Sequence, residues 1–194
     1  RFSPAVLANN YAKVLCHRQA MGNLLCASFS FAGMFAFITG SPFVYIEYFS
    51  VPAERYGLLF ASNIGAMIFL NWVNSRVIVQ VGLKPMIKMA TIIQLCAGAL
   101  LLLFALNGGS LWLLVPCIII FVGMIGLLGA NTTAEVISPF KASAGTASAL
   151  LGSVRFMLGA MAGALLGWLH DGTPVPMAAV MCGCAVLSFL SYRL

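Results

Sequence analysis

Six apolar runs, each bounded by polar punctuation, constrain this chain more than any motif in it. They lie near 21–45, 57–77, 85–106, 111–137 and 142–169, with a shorter sixth at 176–190. A helix of about 20 apolar residues crosses the hydrocarbon core of a bilayer, and the first five runs reach that length. Backbone N–H and C=O groups in lipid must be paired within the chain, which makes such runs helices. Between them stand Pro52 with Glu54 and Arg55, the stretches 82–85, 107–110 and 171–176, and Ser138 with Pro139, all of which read as turns. The expected fold is an all-α integral membrane protein, a bundle of six transmembrane helices with short connections.

Composition agrees: 62% of the residues are hydrophobic and 7% charged, against about 25% charged in a soluble domain. The formal charge is +6, but the ten cations are dispersed and form no basic stripe, so nucleic acid is set aside. Their positions follow membrane topology instead. Arg1, Lys13 and Arg18 precede the first span, Arg76, Lys84 and Lys88 separate the second from the third, Lys141 lies between the fourth and fifth, and Arg193 follows the sixth. Arg55, flanked by Glu47 and Glu54, is alone on the other side, which predicts both ends cytoplasmic.

Residues 1–19 read as the end of a cytoplasmic loop. Ser3 suits an N-cap and Pro4 the first helical position, and Val6, Leu7, Tyr11, Val14 and Leu15 recur at helical spacing as in an amphipathic interfacial helix. Residues 20–194 then form the transmembrane unit. The chain opens at Arg1 without a cleavable signal pattern and is read as a segment of something longer.

No catalytic set is visible, and His17 and His170 fall near opposite faces of the membrane, so an enzyme is not expected. Cys26, Cys96, Cys117, Cys182 and Cys184 sit inside apolar runs and Cys16 outside them, and they read as small packing residues. Cys182 and Cys184 have no nearby His or carboxylate, so no metal, disulfide or other cofactor is expected.

Candidate functional residues come from polar or small groups at helical spacing. Arg155 stands in the middle of the fifth run, where a guanidinium costs about 2.5–3.5 kcal/mol to insert, and so marks a polar cavity or an interhelical contact. Around it Gly145, Ala149, Gly152, Phe156, Gly159, Gly163 and Gly167 form a small-residue stripe suited to close helix approach. Along the second run Tyr56, Phe60, Asn63, Met67, Asn71 and Asn74 share one face, as either a cavity lining or interhelical hydrogen bonding. In the first run Phe31, Phe35, Ile38, Pro42 and Tyr45 share a face beside Met34, with Gly40-Ser41-Pro42 as a kink site. Such aromatic and Met surfaces repack around varied apolar molecules, and they also serve as ordinary packing. The fourth run ends in Asn131, Thr132, Thr133 and Glu135; Glu135 is either a solvated interfacial charge or a gate paired with a neighbouring cation. The third and sixth runs, almost without polar residues, are expected to face lipid.

The segments FSFAGMFAF, SPFVYIEYF, YGLLFASN, NSR and AGTASALLGSVRF together resemble the Bcr/CflA drug-resistance transporters of the major facilitator superfamily. The resemblance covers essentially the whole chain and corresponds to the C-terminal six helices of a twelve-helix transporter. It implies proton-driven efflux of small hydrophobic drugs such as chloramphenicol-like compounds, bicyclomycin or sulfonamides, across a bacterial inner membrane. The partners it implies are the drug, protons, the lipid bilayer and an N-terminal six-helix half. In that fold the first and fourth spans line the central cavity and the second and fifth meet the other half. Phe31, Phe35, Pro42, Tyr45 and Asn131 are then expected near substrate, and Arg155 and Glu135 as cavity charge or gate. The stretch SRVIVQVGLKP resembles a decayed copy of the superfamily motif G-x-L-x-D-R-x-G-R-K, with Val79 and Gln80 in place of Asp and Arg but Gly82 and Lys84 kept. A truncated, non-transporting remnant and a facilitator for another small molecule are the alternatives.

Overall fold

The computed structural model describes residues 4–194, without the side chains of residues 4–8 and of 142. Helix α1 (Pro4–Cys16) precedes α2 (Arg18–Pro42), which continues into a π-helical turn at Phe43–Tyr48. Then come α3 (Ala53–Val81), α4 (Leu83–Leu106), α5 (Leu111–Ile137), a 3-10 segment (Ser138–Ser143), α6 (Ala144–Leu169) and α7 (Val175–Tyr192). Six of these, α2 to α7, are long and apolar enough to cross a membrane, as the runs predict.

The spans arrange as a ring with two outriders. Helix α2 packs on α5, α5 on α4, α4 on α7 and α7 back on α2, while α3 leans mainly on α5 and α6 mainly on α2. The core fills this ring with Phe37, Tyr45, Leu101, Leu114, Ile118, Phe121, Met177 and Met181, all at most 1% exposed. Cover is accordingly uneven: 61% of the most apolar stretch of α2 and 56% of that of α5 is buried, against 6% for α3 and 22% for α6.

Charge divides the bundle by its ends. Lys13, Arg18, Arg76, Lys84, Lys88, Lys141 and Arg193 gather where α2, α4 and α6 begin, and Glu47, Glu54, Arg55 and Asp171 mark the opposite end. Trp112 and Trp168, 84% and 82% exposed, also stand at that opposite end, where an interfacial indole is favoured.

Turn chemistry explains the short connections. Gly82, the single residue between α3 and α4, has φ 87° and ψ 167°, a region essentially closed to residues with a Cβ, and donates its N–H to the Ile78 carbonyl at 2.8 Å. Entry into α2 is capped by His17, whose Nδ1 accepts from the Ala20 N–H at 3.2 Å. The N-cap expected at Ser3 lies outside the described residues, as do the side chains of Val6 and Leu7. Of the other α1 positions read as one apolar face, Val14 is buried against Leu24, Val136 and Leu151, whereas Leu15 is exposed.

Candidate functional site

The aromatic face read along α2 divides in two. Phe31 and Phe35 turn toward α6 and meet Phe156, with ring centroids 5.4 to 6.2 Å apart. A Cβ at Gly159 would stand 2.9 Å from the Phe35 ring, so this glycine is what lets α6 approach. Tyr45 points elsewhere: it is fully buried, packs on Phe37 and Tyr56, and its hydroxyl has no partner among the described residues. The cause is the π turn after Pro42, whose wider circuit rotates each residue by less than an α-helix does and carries Tyr45 round to the side of Phe37. Pro42 itself is half-buried at that junction.

Helix α5 presents different chemistry on each flank. Toward α3, Asn131 and Asn74 exchange amide hydrogen bonds of 2.9 and 3.0 Å, both side chains being buried. Toward α6, Arg155 Nη2 donates to the Gly129 carbonyl at 3.2 Å and to Thr133 Oγ1 at 3.1 Å. Its Nε is buried without a partner, and among the described residues no carboxylate lies within salt-bridge distance of it. Asn131 and the Gly129–Thr133 contact of Arg155 therefore occupy opposite sides of α5. The inward stripe of α6 runs through Ala147, Leu151, Arg155, Gly159, Ala162 and Leu166, while Gly145, Ala149, Phe156 and Gly167 of the expected small-residue stripe stay exposed within this chain.

Glu135 is engaged away from Arg155. Its Oε1 accepts from Gln19 Nε2 at 2.8 Å and lies 4.0 Å from Lys84 Nζ, and the Tyr192 hydroxyl donates to the Lys84 carbonyl at 3.1 Å. One clasp thereby joins the ends of α2, α4, α5 and α7. Of the decayed motif, the two residues kept have separate tasks, Gly82 the turn and Lys84 the clasp.

The described residues form at least three hollows. An apolar groove of about 520 Å³ lies between α2, α6 and α7, with Phe29, Ala32, Met161, Leu165, Val180 and Leu187 among its walls. A pocket of about 230 Å³ opens beside Asn23, Lys84 and Tyr192. A cleft of about 180 Å³ between α2, α3 and α5 is walled by Met34, Phe37 and Ile38, by Phe60, Asn63, Ile64 and Met67, and by Val122. The α3 stripe read from the sequence forms much of that last wall. Phe37 was not singled out, because it lies off the face chosen on α2. Gln94, fully buried with Nε2 3.4 Å from the Phe121 carbonyl, was likewise missed inside a run taken as apolar.

Six spanning helices in a ring with two thinly covered outriders define a multi-pass membrane protein. No family model matches the chain. Over 187 residues it is 36% identical to the bicyclomycin resistance protein homolog of Haemophilus influenzae, covering 96% of this chain and 47% of that protein. Over 179 residues it is 32% identical to YdgK, an uncharacterized MFS-type transporter of Bacillus subtilis, covering 92% of this chain and 44% of that one. The chain spans about half the length of the curated relatives it matches. It belongs to the major facilitator superfamily and supplies the C-terminal six-helix half of that fold.

Proposed function

We propose that this chain is the C-terminal half of a drug:proton antiporter of Bcr/CflA type, exporting small hydrophobic drugs across a bacterial inner membrane by alternating access. The observation that carries the reading is the match along 96% of the chain to a protein named for bicyclomycin resistance. Two features support it. The thinly covered faces of α3 and α6 flank the central pair α2 and α5, as needed if a second half docks along that side. In this reading the cationic end of the bundle is the cytoplasmic one, by the preference of Lys and Arg in short loops, with both ends of the segment on that side and α1 on the membrane surface.

In this reading drug and proton compete for an inward-open cavity, and proton entry drives export. Phe31 and Phe35 with Phe156 offer an aromatic wall, Pro42 precedes and Tyr45 lies within the turn that breaks α2, and Asn131 holds α5 to α3 on the flank away from Arg155. Arg155 sets the charge of the cavity, and guanidinium donors beyond the two bonds from Nη2 serve a drug acceptor or a carboxylate of the other half. Glu135 serves as a gate through its clasp on Gln19 and Lys84.

The test is bicyclomycin and ethidium accumulation in efflux-deficient bacteria making the complete reading frame, this segment alone, or neither, with and without a protonophore. Lower accumulation with the complete frame only, abolished by protonophore, is the expected result. Unchanged accumulation, with the protein in the membrane, overturns export of those compounds.

A further inference from the structure

Two polar side chains, one from each outrider, converge on the face of α5 that this chain leaves open. That face runs through Gly126, Gly129, Ala130, Thr133 and Ala134, all half-buried or exposed, whereas Asn131 on the α3 flank is buried. From α6, Arg155 lays Nη2 over it, bonded to the Gly129 carbonyl and Thr133 Oγ1 and 4.0 Å from where a Cβ on Gly129 would stand. From α3, the Asn71 amide and Met67 lie so close to Gly126 that a Cβ there would collide with both. Residues three apart on a helix hold their Cβ positions about 5–6 Å apart, so the amide lies within about 12 Å of the guanidinium.

Both groups keep hydrogen-bonding capacity that the fold does not use. Asn71 is half-buried and, unlike Asn63 and Asn74, makes no side-chain hydrogen bond among the described residues. Arg155 bonds through Nη2 alone; Nε is buried without a partner, and Nη1 makes no bond among the described residues. No carboxylate of this half answers the charge, since Glu135 is engaged with Gln19 and Lys84, and Glu47, Glu54 and Asp171 lie at the other end of the bundle.

Lipid is a poor cover for this face, because a guanidinium with unmet donors is expensive in hydrocarbon. A helix of the other half lying flush on it would desolvate the same donors. A ligand in the cavity fits better. Carbonyl or nitro oxygens would meet Arg155 and the Asn71 NH₂, while the apolar part reaches the Phe31, Phe35 and Phe156 rings, Phe156 being the residue after Arg155. A cation would meet a like charge with no acid to offset it.

We infer that Arg155 and Asn71 form the polar subsite of the cavity and set its substrate class: neutral or anionic molecules rich in hydrogen-bond acceptors, in preference to cations. The inference rests on the efflux reading for its biological ligand, and it takes the drug, not a carboxylate of the other half, as the group that Arg155 meets.

The probes are bicyclomycin, a neutral molecule with amide carbonyls, and ethidium, a cation. Binding of each is titrated calorimetrically on the complete reading frame in nanodiscs of zwitterionic lipid, as wild type, Arg155→Gln, Asn71→Leu and Asn71→Asp. Arg155→Gln is expected to weaken bicyclomycin about tenfold, the ratio one charge-assisted hydrogen bond supplies, without weakening ethidium. Asn71→Leu should weaken bicyclomycin severalfold and spare ethidium, and Asn71→Asp should tighten ethidium. Should Arg155→Gln fail to give monodisperse protein, the Asn71 variants decide alone, since Asn71 holds no bond that the fold uses. Parallel loss of both probes in Arg155→Gln would assign the guanidinium to a structural pairing with the other half and overturn the subsite. Absence of saturable bicyclomycin binding to wild type, or binding unmoved by the Arg155 and Asn71 variants, sinks it as well. Arg155-dependent bicyclomycin binding with unchanged drug accumulation would keep the subsite and reject efflux, whereas efflux indifferent to both residues would do the reverse.

Discussion

Helices α3 and α6 are both outriders, yet they are attached by a different balance of hydrogen bonding and close approach. The two buried residues of α3 are both asparagines, Asn63 and Asn74, while Leu58, Ile68, Phe69 and Trp72 face outward. It is an amphipathic helix turned inside out, sensible only where the outside is apolar. Helix α6 is joined through small side chains instead, with Gly159 receiving Phe35 and Arg155 reaching across to α5. In a membrane, close packing and interhelical hydrogen bonds replace the hydrophobic effect between helices. Each flank also carries the other device, since Arg155 hydrogen-bonds across to α5 and Gly123 and Gly126 of α5 admit Leu70, Met67 and Asn71 of α3, so single substitutions should weigh the two devices against each other.

The largest effect is expected at Gly159. Its replacement by Leu must displace the Phe35 ring, and overpacking of this kind costs about 3 kcal/mol. The purified complete transporter should lose several degrees of Tm in a detergent melt, and a Tm unchanged within a degree would show that α6 does not rely on this approach. Next is Gly82→Ala at the exit of α3. Its backbone conformation disfavours any Cβ by about 1–3 kcal/mol, with no steric neighbour to blame, so the loss should be felt as strain alone.

Arg155→Gln addresses function. It shortens the reach to Gly129 and Thr133 and removes the charge, and on the efflux reading the loss of a charge-assisted hydrogen bond of about 1.5–3 kcal/mol is expected to lower drug export tenfold or more. Drug export intact at matched expression would make Arg155 a structural strut. Asn131→Leu is milder. It leaves the Asn74 amide unpaired at a cost of about 1 kcal/mol, and the double variant Asn74→Leu with Asn131→Leu should recover most of that. A double variant no more stable than the single would show that the amides do not act as a pair.

These contrasts also mark how far the sequence could be read. Span number and turns were legible because a bilayer forces apolar length and polar punctuation into the residues themselves. The inward face of α3 was legible from the amides at helical spacing. The fate of Tyr45 was not, since helical spacing assumes an even rotation per residue and the π turn breaks it. Nor was the pairing of Asn131 with Asn74, 57 residues away, or of Glu135 with Gln19. Spacing assigns a residue to a face of its own helix and says nothing about which neighbour that face meets. Arg155 shows the same limit, its place midway along the fifth run being legible and its contacts with Gly129 and Thr133 not.

The smallest effect lies where α6 hands over to α7, and it completes the comparison with the single-glycine exit of α3. Asp171 Oδ1 accepts from the Thr173 hydroxyl at 2.7 Å and from the Thr173 N–H at 2.9 Å, closing the turn through a side chain as well as through Gly172, whose φ is 80°. These bonds, the hydroxyl's first, hold the Asp171 carboxyl below the ordinary carboxylate range. A depressed carboxylate stabilises the fold above its unfolded value, and that contribution fades as pH falls through the folded one. Thr173→Ala removes the hydroxyl, so Asp171 should titrate higher, as followed by the carboxyl signal in NMR, and the small acid-dependent part of Tm should shrink. Because the group is fully exposed, the change in Tm at neutral pH should be slight. Titration unmoved by Thr173→Ala would assign the depressed carboxyl to the backbone N–H, making this exit a backbone device like Gly82.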